Sequence, residues 1–379
     1  MFSSRLATTA RCCRRQSLRY LSTSELVNEQ KTTRGRVIFS GIQPTGILHL
    51  QLGNYLGAIS NWVKLQNDAQ PEDDVLFTIV GWHALTLPQN PKELSAARTN
   101  MLATLLAFGI DPKRSVVFHQ DDNQWHTELA WILNCITPIG KLRRMTTWKS
   151  RLATSRNAND ESEVDESMLN AGLFTYPVLQ AADILAYRAT HVPVGEDQTQ
   201  HLELSRDLAD SFNRTFSRRK RFFPIPSQLI TPTKRVLSLK DPSSKMSKSA
   251  PDPASRIELT DTAAQISRKI RAAVTDSIEG ITYDPVARPG ASNLLAILAA
   301  CTNEPVEEVA VRYAGKGHSD LKNDLADALE EMLRGPRAEF QRLREENGYL
   351  AAVAREGAEK AKERSSKTMR EVRNMVGLC

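Results

Sequence analysis

The chain has 379 residues, more than one compact core usually organises, so two domains are expected. A hydrophobic share of 41% beside 25% charged residues matches a water-soluble protein, and no apolar stretch is long enough to cross a bilayer, which excludes a membrane-spanning helix. The formal net charge of +6 and pI near 9.0 permit a polyanionic partner without requiring one.

Residues 1–24 carry Arg5, Arg11, Arg14, Arg15 and Arg19 among Ser, Thr, Ala and Leu, and no acid precedes Glu25. An Arg- and Ser-rich, acid-free start without a continuous apolar core reads as a mitochondrial transit peptide leading to the matrix; a disordered basic tail is the alternative. The run Val37-Ile38-Phe39 predicts a buried strand that breaks at Ser40-Gly41, with a turn at Gln43-Pro44-Thr45-Gly46. From Asn54 to Gln66, Leu56, Ile59, Val63 and Leu65 give a helical face. A strand over 75–80, a helix over 92–108 and a strand over 115–119 follow. This alternation predicts an α/β fold, a parallel sheet with helices on both faces.

The polar, acidic stretch 155–167 predicts a mobile surface loop. Helices are expected over 171–187 and 200–212. Beyond Arg288-Pro289-Gly290, helical patterns dominate, with Leu321, Leu325, Ala328, Leu329 and Met332 three or four residues apart. Gly335-Pro336 is expected to interrupt them before a basic helix runs to the end. The five cysteines, Cys12, Cys13, Cys135, Cys301 and Cys379, suit neither a disulfide framework nor a tetrahedral zinc site, which favours a reducing compartment.

GxxxxGK[ST], HExxH and paired CxxC patterns are all missing from the sequence, so P-loop and zinc chemistry are not expected and no metal ligand is assigned. Phe39 to Asn54, FSGIQPTGILHLQLGN, instead offers a strand end, a Gly/Pro turn and a helix start. Such a junction presents free N–H groups and a positive dipole to phosphate, and Gly41, Gly46 and Gly53 let backbone approach a nucleotide; an ordinary strand–helix connection is the alternative. Further on, Lys245-Met246-Ser247-Lys248-Ser249 places two lysines three apart in a Ser-rich stretch. Their ammonium groups suit a loop closing over pyrophosphate, where they neutralise leaving-group charge, although most such runs are solvated basic loops.

A His-containing turn before Gly-Asn followed by KMSKS resembles the class I aminoacyl-tRNA synthetases. SGIQPTG at 40–46, GNYLGAI at 53–59, TYPVLQAADIL at 175–185, HVPVGEDQTQHLELSRDLADSFN at 191–213 and RPGASNLL at 288–295 narrow the resemblance to the tryptophanyl-tRNA synthetases. The resemblance covers Arg36 to the C-terminus. It implies a Rossmann-type catalytic domain over 25–230, a KMSKS region over 231–260 and, over 261–379, a helical domain that binds the tRNA anticodon and closes back on the catalytic domain. It further implies a homodimer with tRNA(Trp), ATP and L-tryptophan as partners, ATP entering with Mg2+ as substrate complex. His49, Lys245 and Lys248 would be catalytic. Gln43, Gly53, Asn54, Gly195, Lys245, Met246, Ser247 and Lys248 would bind ATP. Phe39, His83, Tyr176, Gln180 and Gln198 would surround tryptophan, with Asp183 accepting from the indole N–H, which can only donate.

The chain departs from the family pattern at several points. Its signature reads Pro44-Thr45-Gly46-Ile47-Leu48-His49-Leu50-Gln51-Leu52-Gly53-Asn54, two residues longer than PTG-x-L-H-L-G-N, so Gln51 takes the histidine's place when aligned from the right. Gly81 stands where an acid usually precedes the pocket histidine, Ala250 replaces the Asp after KMSKS, and Asp121-Asp122-Asn123-Gln124 replaces Ser-x-Val-Pro. Two rival readings follow: a tyrosyl-tRNA synthetase, and a catalytically impaired RNA-binding paralogue.

Overall fold

The computed structural model describes residues 35–44, 50–145, 148–149, 169–195, 198–217, 221–230, 236–247 and 250–379. The expected transit peptide, His49, the acidic stretch 155–167 and Lys248 lie outside the described residues. Strand β1 (Val37–Ile42) is followed by a short helix α1 (Leu52–Asn54), a π turn at Tyr55–Ile59 and α2 (Ser60–Asp68). Next come β2 (Asp74–Ile79), α3 (Gly81–Ala84), α4 (Pro91–Ala107) and β3 (Val116–His119). A 3-10 turn at Gln120–Asp122 leads into α5 (Trp125–Ile136) and α6 (Ile139–Arg143). Helix α7 (Ala171–Ala186), β4 (His191–Val194), α8 (Thr199–Phe216) and β5 (Ser227–Ile230) complete the α/β part.

All the strand pairings are parallel, in the order β3-β2-β1-β4-β5. Successive residues face opposite sides, as the two-residue period of a strand requires. Ile38, Val75, Phe77, Ile79 and Val117 join one core with α2 and α4, while Phe39, Leu76, Val116 and Phe118 join another with α5, α7 and α8. Strand β1 runs on through the expected break at Ser40-Gly41, because Gly41 pairs with Thr78 in register and any side chain there would crowd Val80.

The rest is helical: α9 (Ala263–Arg271), α10 (Pro289–Thr302), α11 (Val306–Tyr313), α12 (His318–Glu345) and α13 (Asn347–Val376). Helix α12 contains Pro336, so the expected interruption at Gly335-Pro336 does not occur. An internal proline costs about 3 kcal/mol. Leu329, Leu333, Phe340 and Leu343 are all buried on either side of it, and burying each contributes about 1.5–3 kcal/mol. Packing therefore carries the helix through. The final helix α13 lies against β3, the edge strand, and removes it from solvent. Its Gly357 comes so close to the Val117 carbonyl that no Cβ fits, and Arg364 reaches Asp74 at 2.5 Å.

Candidate active site

Strand order reverses between β1 and β4, and at such a point the carboxyl ends of the strands diverge to leave a crevice. A cavity of about 280 Å³ opens there. Phe39 and Gln43 reach it from β1 and just beyond, His83 from α3, Tyr176, Gln180 and Asp183 from α7, and Gly195 and Gln198 from the segment after β4. Gly57 and Ala58 of the π turn form part of the opposite wall, where small residues leave space.

Asp183 is 2% exposed and is surrounded by donors. His83 Nε2 lies 2.8 Å from Oδ2, His126 Nδ1 2.7 Å from Oδ1, and Gln120 Nε2 donates to both oxygens at 2.7 and 2.9 Å. The Gln120 amide has one orientation open to it, since its Oε1 accepts from Trp82 N at 3.0 Å. Burial works to raise the Asp183 pKa, but the hydrogen bonds from His126 and His83 outweigh it and hold the carboxyl at about 2. The result is a buried carboxylate with only donors facing it. Two other lining residues are linked through His201, which is wholly buried: its Nδ1 donates to Gln198 Oε1 at 2.8 Å, leaving Nε2 to accept from Tyr176 Oη at 3.1 Å.

The departures at 81 and 121 answer each other. The Asp121 carboxylate occupies the space that a side chain at Gly81 would need, and Arg98 pairs with that carboxylate from α4. A side chain at position 81 therefore requires the Asp121 carboxylate to move away from its place beside Arg98.

The signature turn and the KMSKS segment are in contact. Gln51 Nε2 donates to the Met246 carbonyl at 2.8 Å, which also fixes the orientation of that amide. Leu52 N donates to Ile257 O at 2.8 Å, and Met246 N to Val236 O at 3.0 Å. Beyond KMSKS, Arg256 Nη1 donates to the Ala250 carbonyl at 3.1 Å while its Nε reaches Glu258 at 3.1 Å. The described residues on the two flanks, Met246 and Ala250, are thus held by Gln51 and Arg256. Met246 is core, 1% exposed, whereas the Lys245 side chain is exposed.

The model of the family described as "tRNA synthetases class I (W and Y)" matches residues 31–334. The chain belongs to this family. It is 40% identical to the mitochondrial tryptophan--tRNA ligase of Saccharomyces cerevisiae, across 95% of this chain and 97% of that one. It is 41% identical to the mitochondrial tryptophan--tRNA ligase of Schizosaccharomyces pombe, across 90% and 95%. Among solved structures, tryptophanyl-tRNA synthetase from Mycoplasma pneumoniae superposes with a TM-score of 0.78 at 30% identity, covering 91% of this chain and 98% of that one. The Campylobacter jejuni enzyme complexed with ADP and tryptophan gives 0.73 at 30% identity, covering 90% and 100%.

Eight residues picked out from the sequence thus share one cavity: Phe39, Gln43, His83, Tyr176, Gln180, Asp183, Gly195 and Gln198. Gly53, Asn54, Lys245, Met246 and Ser247 do not line it; they lie around the neighbouring tether. The Asn54 side chain there accepts from Gln51 N at 3.2 Å, and Gly53 backs onto Val236. Sequence reasoning missed Gln120, His126 and Tyr187 around Asp183, and Arg256 on the KMSKS flank. His126 carried a usable signal, a histidine on the inner face of α5 among buried Leu129, Ala130 and Leu133. Two of the basic residues of α13 pair along the helix surface, Lys360 with Glu356 at 2.6 Å and Lys367 with Glu363 at 2.9 Å.

Proposed function

We propose that the chain is a mitochondrial tryptophan--tRNA ligase acting in the matrix, which activates L-tryptophan with Mg-ATP and passes the aminoacyl group to tRNA(Trp). The observation that carries this reading is the buried acceptor Asp183 in a cavity at the switch point, beside a KMSKS segment tied to the nucleotide turn. The indole ring enters between Phe39, Tyr176 and His83, and its N–H donates to Asp183. Gln180 and Gln198 take the polar end of the amino acid. Gln43, Gly195 and the turn at Gly53-Asn54 hold the nucleotide. The tryptophan carboxylate attacks the α-phosphate, and Lys245 and Lys248 neutralise the departing pyrophosphate. Rate comes from placement and charge stabilisation, with no covalent bond to the enzyme. A phenylalanine ring in the same slot leaves the Asp183 acceptor without its partner, which costs about 1–3 kcal/mol.

Exposed Trp131 on α5, Ile139 on α6 and Leu85 after α3 supply apolar surface for a homodimer contact. The helical part beyond residue 261 takes the anticodon side of the tRNA. The test is amino-acid-dependent ATP–pyrophosphate exchange on protein lacking residues 1–24, with tRNA binding measured separately. Exchange driven by tryptophan is expected. Exchange with tyrosine alone, or tRNA binding with no exchange, overturns the assignment.

A further inference from the structure

A second layer of hydrogen bonds lies behind Asp183 and runs to the last helix. Asn123 Nδ2 donates to Tyr187 Oη at 2.9 Å and to Ser365 Oγ of α13 at 2.9 Å. The Asn123 amide has one orientation, because its Oδ1 accepts from Trp125 N at 3.2 Å. Ser365 Oγ in turn donates to the Ala361 carbonyl at 2.8 Å, so towards Asn123 it can only accept. Tyr187 Oη, receiving a proton from Asn123, sends its own towards His126 Nε2 at 2.8 Å. The Asp183 carboxylate can only accept, so the neutral imidazole carries its hydrogen on Nδ1 and donates to Oδ1 at 2.7 Å, leaving Nε2 as the acceptor for Tyr187. Asn123, His126 and Ser365 are all fully buried, and Tyr187 is 6% exposed, so water does not compete for these bonds. With the Asn123 amide oriented by Trp125 N and the Asp183 carboxylate able only to accept, the two ends of the chain of groups are fixed in direction.

We infer that Asn123 is a positioning residue that orders the protons along Ser365–Asn123–Tyr187–His126–Asp183, locking His126 as the Nδ1–H tautomer so that Asp183 meets an indole N–H purely as an acceptor. The inference rests on the tryptophan reading of the cavity and deepens it. Asn123 lies within the four residues where this chain departs from Ser-x-Val-Pro, and its second hydrogen bond ties the chain of groups to α13. Ordering of this kind matters because a reversed imidazole places a lone pair against the carboxylate at a buried position.

Asn123→Asp reverses the direction. The new carboxylate accepts from Tyr187, whose proton leaves His126 Nε2. His126 is then frustrated as either tautomer and regains a full set of bonds only by taking up a second proton. The charged and titratable groups linked to it are Asp183 and Tyr187, bonded to it directly, His83 of α3 through Asp183, and Arg364 of α13 through Tyr187. Two measurements decide. In exchange assays between about pH 8.5 and about 6.5, kcat/KM for tryptophan in N123D relative to the unsubstituted protein is expected to climb by up to roughly tenfold per unit of falling pH, the slope of one proton. In ¹⁵N spectra of histidine-labelled protein, His126 is expected as the Nδ1–H tautomer in the unsubstituted chain and doubly protonated in N123D. Tyr187→Phe, which keeps the ring and adds no charge, is expected to lose discrimination against a tryptophan analogue bearing sulfur at the indole nitrogen. A pH-independent ratio, an Nε2–H signal in the unsubstituted protein, or undiminished discrimination in Y187F overturns the inference. Lack of tryptophan-dependent exchange in the unsubstituted protein overturns the functional reading instead, and the spectra still decide the proton order.

Discussion

Asp183→Asn separates the structural duty of the buried carboxylate, holding the pocket together, from the proposed one, receiving the indole N–H. The side chain keeps its volume and loses its charge. With the amide oxygen towards His126 and Gln120, the bonds now at 2.7 Å persist as neutral ones, and the amide nitrogen meets His83 Nε2, which must shift its proton to accept. Hydrogen bonds to a charged group contribute about 1.5–3 kcal/mol and neutral ones about 0.5–1.5, so three such bonds lose roughly 3 kcal/mol in all. Against a total of about 5–15 kcal/mol, the variant folds with reduced stability. Asp183→Ala is a poorer test, because it strands three buried donors at about 1–3 kcal/mol each and threatens the fold itself. For the substrate, exchanging a charged acceptor for a weak or misdirected one costs about 1–3 kcal/mol, a rise in tryptophan KM of roughly 5- to 150-fold. The assay is pyrophosphate exchange with tryptophan and with the sulfur analogue, alongside urea unfolding. KM is expected to rise for tryptophan and to change little for the analogue. Equal rises for both, with the fold intact, refute the role of Asp183 as the indole acceptor.

Gln51→Glu keeps the shape of the tether but sets a carboxylate against the Met246 carbonyl, so kcat for exchange is expected to fall at least tenfold while tryptophan KM, set in the separate cavity, stays within about twofold; a selective rise in tryptophan KM speaks against the tether. Gly357→Ala pushes a methyl into the Val117 carbonyl and is expected to cost about 1–3 kcal/mol in urea unfolding, because backbone cannot yield as a side chain can. Burial, aided by Arg98, pushes the His119 pKa down from 6.5 to about 4. Its folded form is thus the neutral one: the stability it contributes is complete above about pH 6.5 and is lost as pH falls towards 4, amounting to about 3 kcal/mol. Unfolding free energy measured across that window is expected to slope downward towards acid, and His119→Gln to flatten the slope. Trp131→Glu places a charge on a side chain now 72% exposed, and is expected to yield monomers in light scattering while leaving the fold unchanged; an unaltered mass shows that any dimer forms elsewhere.

The parallel α/β frame was legible because β1, β2 and β3 each contain three successive apolar residues, Val37-Ile38-Phe39, Val75-Leu76-Phe77 and Val116-Val117-Phe118, the pattern of strands covered on both faces. Strand β4 reads His-Val-Pro-Val, four residues with a proline inside, and nothing in its periodicity marks it. The lining of the cavity was legible through motifs, since each motif keeps several lining residues within a few positions, as Tyr176, Gln180 and Asp183 stand on successive turns of α7. The polar frame behind it was not. Asp183 takes its partners from positions 57, 63 and 100 residues away, and Asn123 meets Ser365 across 242 residues. Periodicity reports which face of an element is buried, and by that measure Asn123, His126 and Ser365 are polar intruders on apolar faces. A buried polar group must find its complement, yet the sequence does not say which among the other intruders supplies it. Nor does it give direction, on which the proposed recognition of an indole N–H depends. A carboxylate ringed by groups that can only donate accepts an N–H and repels a lone pair, whereas the same residues with one amide reversed present a different surface to the same ligand. In the tryptophan reading proposed above, preference for an N–H over a lone pair would rest on the orientation of Gln120 and Asn123, each fixed by a single backbone N–H, from Trp82 and Trp125.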